Sequence, residues 1–254
     1  PTEAQIRSDI EMLSEHTNRL RTYSVKGSLG DIPGIAQDYG VTVTLGIWLD
    51  KDMAANDAEI ARAIGIVNSV RNIDLVVVGN EALFRGDVTP EQMIEYIERV
   101  RAAVKVRVTT AEPWHVWLKY PEIASHVKVI AAHVLLFWEK VPANKAVKVT
   151  LDRARELRKA YPKKRLLLAE VGWPSHGRPQ GAADATPAVQ AIYLRAMLDK
   201  LNSGGYEYFV IEAFDQTWKT GDEGDVGAYW GVYDVQRRPK FPFTGPVVAI
   251  PQWR

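Results

Sequence analysis

The 254-residue chain contains no cysteine, which excludes disulfides, thiolate nucleophiles and cysteine-held metals and leaves the redox compartment open. It has no excess of charge either. Lys and Arg number 32 against 31 Asp and Glu, the two signs are interspersed, and the formal net charge is +1. No nucleic-acid or anionic-membrane partner is therefore expected. No segment reaches the roughly 18 consecutive apolar residues of a membrane span, and no signal peptide precedes Pro1. The start without Met reads as a mature or excised domain. The five histidines show no H-E-x-x-H spacing, and no G-x-G-x-x-G loop follows the early strands. The run Gly221-Asp222-Glu223-Gly224-Asp225 lacks the spacing and terminal Glu of an EF-hand loop and reads as solvated. No metal and no other cofactor is expected.

What is present is an ordinary globular composition, 46% apolar and 25% charged, so a sizeable core is available. Apolar, β-branched runs recur near Arg19–Ser24, Val41–Trp48, Leu75–Asn80, Arg107–Ala111, Val129–Leu135, Arg165–Val171 and Tyr206–Phe214. Between them lie helical patterns with start signals. Thr89-Pro90-Glu91-Gln92 combines an N-cap, a Pro at the first helical position and a capping-box partner, and Met93, Ile97, Val100 and Val104 follow at helical spacing. Thr2 with Gln5 and Asn56 with Glu59 repeat the capping-box pattern, and Thr186-Pro187 opens a helix that Gly204-Gly205 ends.

Strands alternating with helices predict a parallel sheet with right-handed crossovers. The length, close to the about 250 residues of a (β/α)8 TIM barrel, favours one domain over residues 1–254. One strand is short of eight. The expectation is that a first strand is missing before Pro1 or that Val247–Ile250 replaces it.

Two of these strands run into a carboxylate. Val76-Val77-Val78-Gly79-Asn80-Glu81 ends on Glu81, and Leu167-Leu168-Ala169-Glu170-Val171-Gly172-Trp173-Pro174-Ser175 carries Glu170 into a turn. Glutamate is rarely buried without a partner, so two at the C-terminal ends of buried strands need a reason. Two carboxylates facing one cleft would equip glycoside hydrolysis. The alternative is a pair of salt-bridged strand-end acids.

The Glu170 segment resembles the signature of glycoside hydrolase family 17, whose members act on β-1,3-glucans, and Val78-Gly79-Asn80-Glu81 resembles that family's acid/base motif. Arg19–Tyr23, Glu212–Lys219 and Gly227–Asp234 extend the likeness over nearly the whole chain. The resemblance implies a retaining mechanism on a (β/α)8 barrel, with Glu170 as nucleophile and Glu81 as acid/base. In retaining geometry the carboxyl groups stand about 5–5.5 Å apart, and one of them forms a covalent glycosyl intermediate. Asn80 is then expected to donate to the sugar 2-hydroxyl. Arg21 and Tyr23 are expected to orient the nucleophile or a sugar hydroxyl, with a structural ion pair as the alternative for Arg21. Trp173 is a candidate sugar platform or a ring capping the barrel. Lys219 matches a family lysine near the site, and Asp215 and Trp218 lie in the same motif.

Ala132–Glu139 resembles the family's sixth-strand motif, with Leu136 and Phe137 where bacterial members tend to carry Pro and Tyr. His133 is a substrate contact or a core histidine, and Phe137, Trp138 and Glu139 are candidate cleft residues. Gln216 stands where many plant members carry an acid. The likeness to the bacterial branch implies a β-1,3-glucanosyltransferase that elongates, branches or cyclises β-glucan. An endo-β-1,3-glucanase is the alternative, and a non-catalytic glucan-binding module a third reading. The expected partner is a β-1,3-glucan oligo- or polysaccharide. The expected location is periplasmic or extracytoplasmic, tethered to a membrane glucan-synthesis protein.

Overall fold

The structure is a computed structural model that describes residues 1–221 and 223–244. The seven expected strands all form: β1 (Arg19–Arg21), β2 (Thr42–Ile47), β3 (Ile73–Asn80), β4 (Arg107–Pro113), β5 (Val129–His133), β6 (Arg165–Val171) and β7 (Glu207–Val210). They follow chain order in one sheet, and β1–β2, β2–β3, β3–β4 and β6–β7 pair parallel. An α-helix follows each of the first six strands. Sequential parallel order with helical crossovers is the topology of the (β/α)-barrel class. Val247–Ile250, the candidate replacement strand, lies outside the described residues.

The chain divides into two compact units, one of Pro1–Ala132 with Ala160–Arg165, the other of His133–Lys159 and the chain from Leu166 onward. In the first, Leu75–Val78 of β3 is buried throughout, as is Val43–Ile47 of β2. Both faces of these strands meet side chains, which is why they read as unbroken apolar runs rather than alternating ones. In the second, Leu166–Val171 of β6 is buried from end to end.

Several strands end sooner than their apolar patterns suggest. β1 stops at Arg21 because Thr22 turns its side chain to the ladder: its Oγ1 accepts the Gly46 N–H at 3.2 Å. Tyr23 and Ser24 thus lie past the strand end. β5 stops at His133 and β7 at Val210, whereas β4 runs two residues beyond its expected end, to Pro113.

The helix signals hold at three of four positions. Thr2 and Thr89 form capping boxes with Gln5 and Gln92, and the Thr186 hydroxyl accepts the Val189 N–H. The Asn56–Glu59 expectation is corrected. That helix starts at Met53 with Asp52 as its N-cap, which leaves Asn56 inside it and buried. Asn56 instead pins the preceding loop through both backbone groups of Asp50, and Glu59 accepts the Val25 N–H and the Ser24 hydroxyl.

Candidate active site

In the first unit, Glu81 follows the last residue of β3 in the left-handed region, at φ 55°. A glutamate held there carries strain of roughly 1–3 kcal/mol, so its surroundings must fix it. Its N–H donates to Ala111 O at 2.8 Å, and the Arg85 N–H closes the turn on Glu81 O at 2.8 Å. Gly79 is also at positive φ (80°), a conformation that L side chains rarely adopt, and a Cβ there would sit 2.9 Å from the Met93 methyl. The side chain of Arg85 reaches back to Asn80 O and Leu49 O and pairs with Asp87 at 2.6 Å. It also lies over the Trp48 ring, 4.5 Å from its centroid.

Asn80 and Arg21 come together as a pair, with the guanidinium donating to Asn80 Oδ1 at 2.6 Å. That bond leaves the Asn80 amide NH2 as the end available to donate elsewhere. Arg21 also sits 4.6 Å from the centre of the Tyr23 ring. These residues therefore form a connected group at the ends of β1 and β3, the two strands that flank β2.

In the second unit, Glu170 is the sixth residue of β6 and only 4% exposed. Its carbonyl accepts the Val134 N–H at 3.0 Å, and its Oε1 lies 3.4 Å from Nε2 of the fully buried His133. Next to it, Gly172 is required by space, because a Cβ there would come within 2.3 Å of Ile211 O.

Trp173 and Phe137 do not stand open to a sugar. Both are fully buried and meet edge to face at 5.5 Å. The indole Trp173 N–H donates to Asp184 O at 2.8 Å, and its ring packs on Tyr193. In this structure they are core rings that wall the strand ends, the alternative already raised for Trp173. Trp138, by contrast, is partly exposed and lies at 5.7 Å from Trp230. Glu139 is paired with Arg153 at 3.8 Å.

Asp215 forms a buried pair with Lys240 at 2.5 Å and accepts the Gly231 N–H at 3.0 Å. Burial raises its carboxyl above the ordinary range, with Lys240 pulling against the rise. Lys219 donates to Glu212 Oε2 at 2.7 Å, and Gln216 bonds to the same oxygen. Burial pushes Glu212 up to about 6, with Lys219 pulling against the rise. Trp218, beside Lys219, is 74% exposed.

Two acids were missed as site candidates. Glu212 was noted only as part of a motif. Glu112, at the end of β4, is a third acidic residue closing an apolar strand, the same signal that marked Glu81 and Glu170, but it falls one residue past the expected strand end.

Residues 1–231 match the BtgE/BtgC glycoside hydrolase domain. The chain is 28% identical over 262 residues to a glucan 1,3-beta-glucosidase of Arthroderma benhamiae, covering 94% of this chain and 84% of that protein. A glucan 1,3-beta-glucosidase of Schizosaccharomyces pombe is 28% identical over 92% of this chain and 78% of its own length. Among solved structures, the chain is similar to a glycoside hydrolase family 17 β-1,3-glucanosyltransferase from Rhizomucor miehei, with a TM-score of 0.86 at 25% identity, covering 98% of this chain and 92% of that one. An active-site mutant of that transferase in complex with laminaritriose matches equally well. These relatives are fungal.

Proposed function

The chain belongs to the BtgE/BtgC glycoside hydrolase domain family, and from that premise we propose that it is a retaining β-1,3-glucanosyltransferase. It is a glycosidase or transglycosidase of β-1,3-glucan, and residues 1–254 act as one catalytic domain. The observation that carries the reading is the arrival of two strands of a (β/α)-barrel sheet at Glu81 and Glu170, since active residues of that class stand at strand C-terminal ends.

Glu170 is the nucleophile. A carboxylate oxygen attacks the anomeric carbon, the bond to the glycosidic oxygen breaks with its electron pair leaving on that oxygen, and Glu81 supplies the proton the leaving alcohol needs. The product is a glycosyl ester on Glu170. A sugar hydroxyl then gives its proton to Glu81 and attacks the same carbon, which releases Glu170 and forms the new linkage. His133 beside Glu170 fixes the carboxylate orientation. Asn80, held by Arg21, presents its amide to the sugar 2-hydroxyl. Trp138 and Trp218 offer partly or largely exposed rings to glucan, and Tyr23, Glu139 and Lys219 stand as secondary contacts.

Hydrolysis is the second reading, favoured by the glucosidase names of the Arthroderma and Schizosaccharomyces relatives. Water in place of the sugar hydroxyl completes the same cycle, so acceptor binding decides between the two. A non-catalytic module has less support, because both carboxylates are present. The test is mass spectrometry of products from one linear β-1,3-gluco-oligosaccharide. Products longer than the substrate, or cyclic at its length, support transfer; shorter products alone sink it in favour of hydrolysis.

The finer placement in a bacterial branch rests on the motifs at 132–139 and 228–234 alone. So does residence outside the cytoplasm on a membrane glucan-synthesis protein. No helix among the described residues is long and apolar enough to cross a membrane. Fractionation of the native cells tests the location, and recovery with cytosolic markers would end it.

A further inference from the structure

Glu112 is 1% exposed, a buried acid with no part in the chemistry above. Its Oε1 accepts the Leu83 N–H at 2.9 Å and its Oε2 accepts the Phe84 N–H at 3.2 Å. Both donors belong to the turn that starts at Glu81, so one carboxyl group spans two consecutive amides of that turn. Burial pushes Glu112 up to about 8, the two N–H donors and Arg85 pull it down, and the charge of Glu81 adds to the rise. A buried acid in an apolar setting is costly unless its bonds are needed. Here the bonds fall on a segment whose first residue is strained at φ 55°, and such a conformation persists only where neighbours over-determine it.

We propose that Glu112 is a positioning residue for Glu81: by clamping the Leu83 and Phe84 amides it holds the strained turn that aims the acid/base carboxyl at the glycosidic oxygen. The inference rests on the reading of Glu81 as acid/base. At 1% exposed, Glu112 acts through Glu81, on proton transfer. A residue that merely stabilised the fold would slow every step alike.

Two donors separate these roles. A β-1,3-gluco-oligosaccharide has an alcohol leaving group that needs a proton, whereas a 2,4-dinitrophenyl β-laminaribioside leaves without one. The full chain is assayed as Glu112→Ala and Glu112→Gln, each with and without Glu81→Ala. Glu112→Ala is expected to lower kcat on the oligosaccharide about tenfold or more, with KM changed by less than about twofold. The burst of dinitrophenolate should stay within about twofold of the parent, and Glu112→Ala should add nothing once Glu81 is removed. Glu112→Gln keeps one acceptor oxygen and places an NH2 against the other amide, so its loss should be intermediate. Equal losses on both donors, or a full additional loss in the Glu81→Ala background, would overturn the proposal. If Glu112→Ala loses cooperative thermal unfolding, Glu112→Gln carries the same comparison. Full activity of Glu81→Ala on the oligosaccharide would overturn the acid/base reading, and this proposal with it.

Discussion

Glu81 and Glu170 both terminate apolar strands, yet they are held in opposite ways. Glu170 lies inside β6, nearly fully buried, its backbone locked to Val134 and its carboxyl beside His133. Glu81 lies just past β3, half-buried, in a left-handed turn fixed by Ala111, Arg85 and Glu112. The contrast matches the two tasks proposed for them. A nucleophile attacks one atom from one place, which a strand interior provides without strain. An acid/base exchanges its proton with changing partners and needs access, which a turn provides at the cost of a strained residue and a buried clamp. The two units thus show where rigidity comes from: from the ladder in one, from side chains aimed at backbone in the other.

That comparison can be broken at the nucleophile first. Glu170→Gln removes the charge and almost no volume, so turnover should fall by about four orders of magnitude or more, with the thermal midpoint retained. Substantial residual activity on glucan, measured on enzyme freed of parent protein, would remove Glu170 from its role. Next, Glu81→Ala should slow the natural substrate by about 10²–10⁴-fold and be partly rescued by azide with an activated leaving group, giving a β-glycosyl azide. An α-azide product would contradict retention. Arg21→Ala then sharpens the first unit's side of the contrast. It frees Asn80 from a charge-assisted bond, and roughly a tenfold drop in kcat is expected, larger than any change in KM. A substrate lacking the 2-hydroxyl should feel the variant much less; an equal loss would show that Arg21 serves the fold.

The last prediction concerns stability with pH. The native carboxyl of Glu112 sits at about 8, above its ordinary value of 4.5, so the folded state holds that proton more tightly than the unfolded one. Its contribution is fully present below 4.5 and is lost as pH rises through 8. Glu112→Gln stays neutral, so the stability of the parent relative to this variant should decline between pH 4.5 and 8, by an amount on the order of a few kcal/mol. Urea unfolding at both ends of that window reads it. A constant difference would show that burial of Glu112 does not govern its ionisation.

Most of the fold was legible because buried parallel strands need continuous apolar runs, and all seven such runs became strands. Caps were legible where a hydroxyl and a Gln stood three residues apart, at Thr2 and Thr89. Asn56 misled because a buried polar residue that ties down a loop has the same local spelling as a cap. Strand ends were the weak point. Thr22 replaces a backbone acceptor with its side chain, and nothing in the pattern distinguishes that from one more ladder residue. The same difficulty hid Glu112, since extending β4 by two residues turns a loop acid into a buried one. At the site, the two glutamates stood out because acids rarely end buried strands. The aromatic residues did not sort themselves: Trp173 and Phe137 proved to be core, while Trp138 and Trp218 keep exposed faces, a difference set by packing that no spacing encodes.

The central claim is a covalent glycosyl intermediate on Glu170, and trapping tests it most directly. A 2-deoxy-2-fluoro-β-laminaribiosyl fluoride should form the ester and then stall, because fluorine at that position disfavours the positively charged transition state of the second step. Intact mass should rise by one fluorinated laminaribiosyl group, and peptide mapping should place it on Glu170. A modified peptide carrying a different carboxylate, or inactivation of substrate turnover with no adduct at all, would contradict the account.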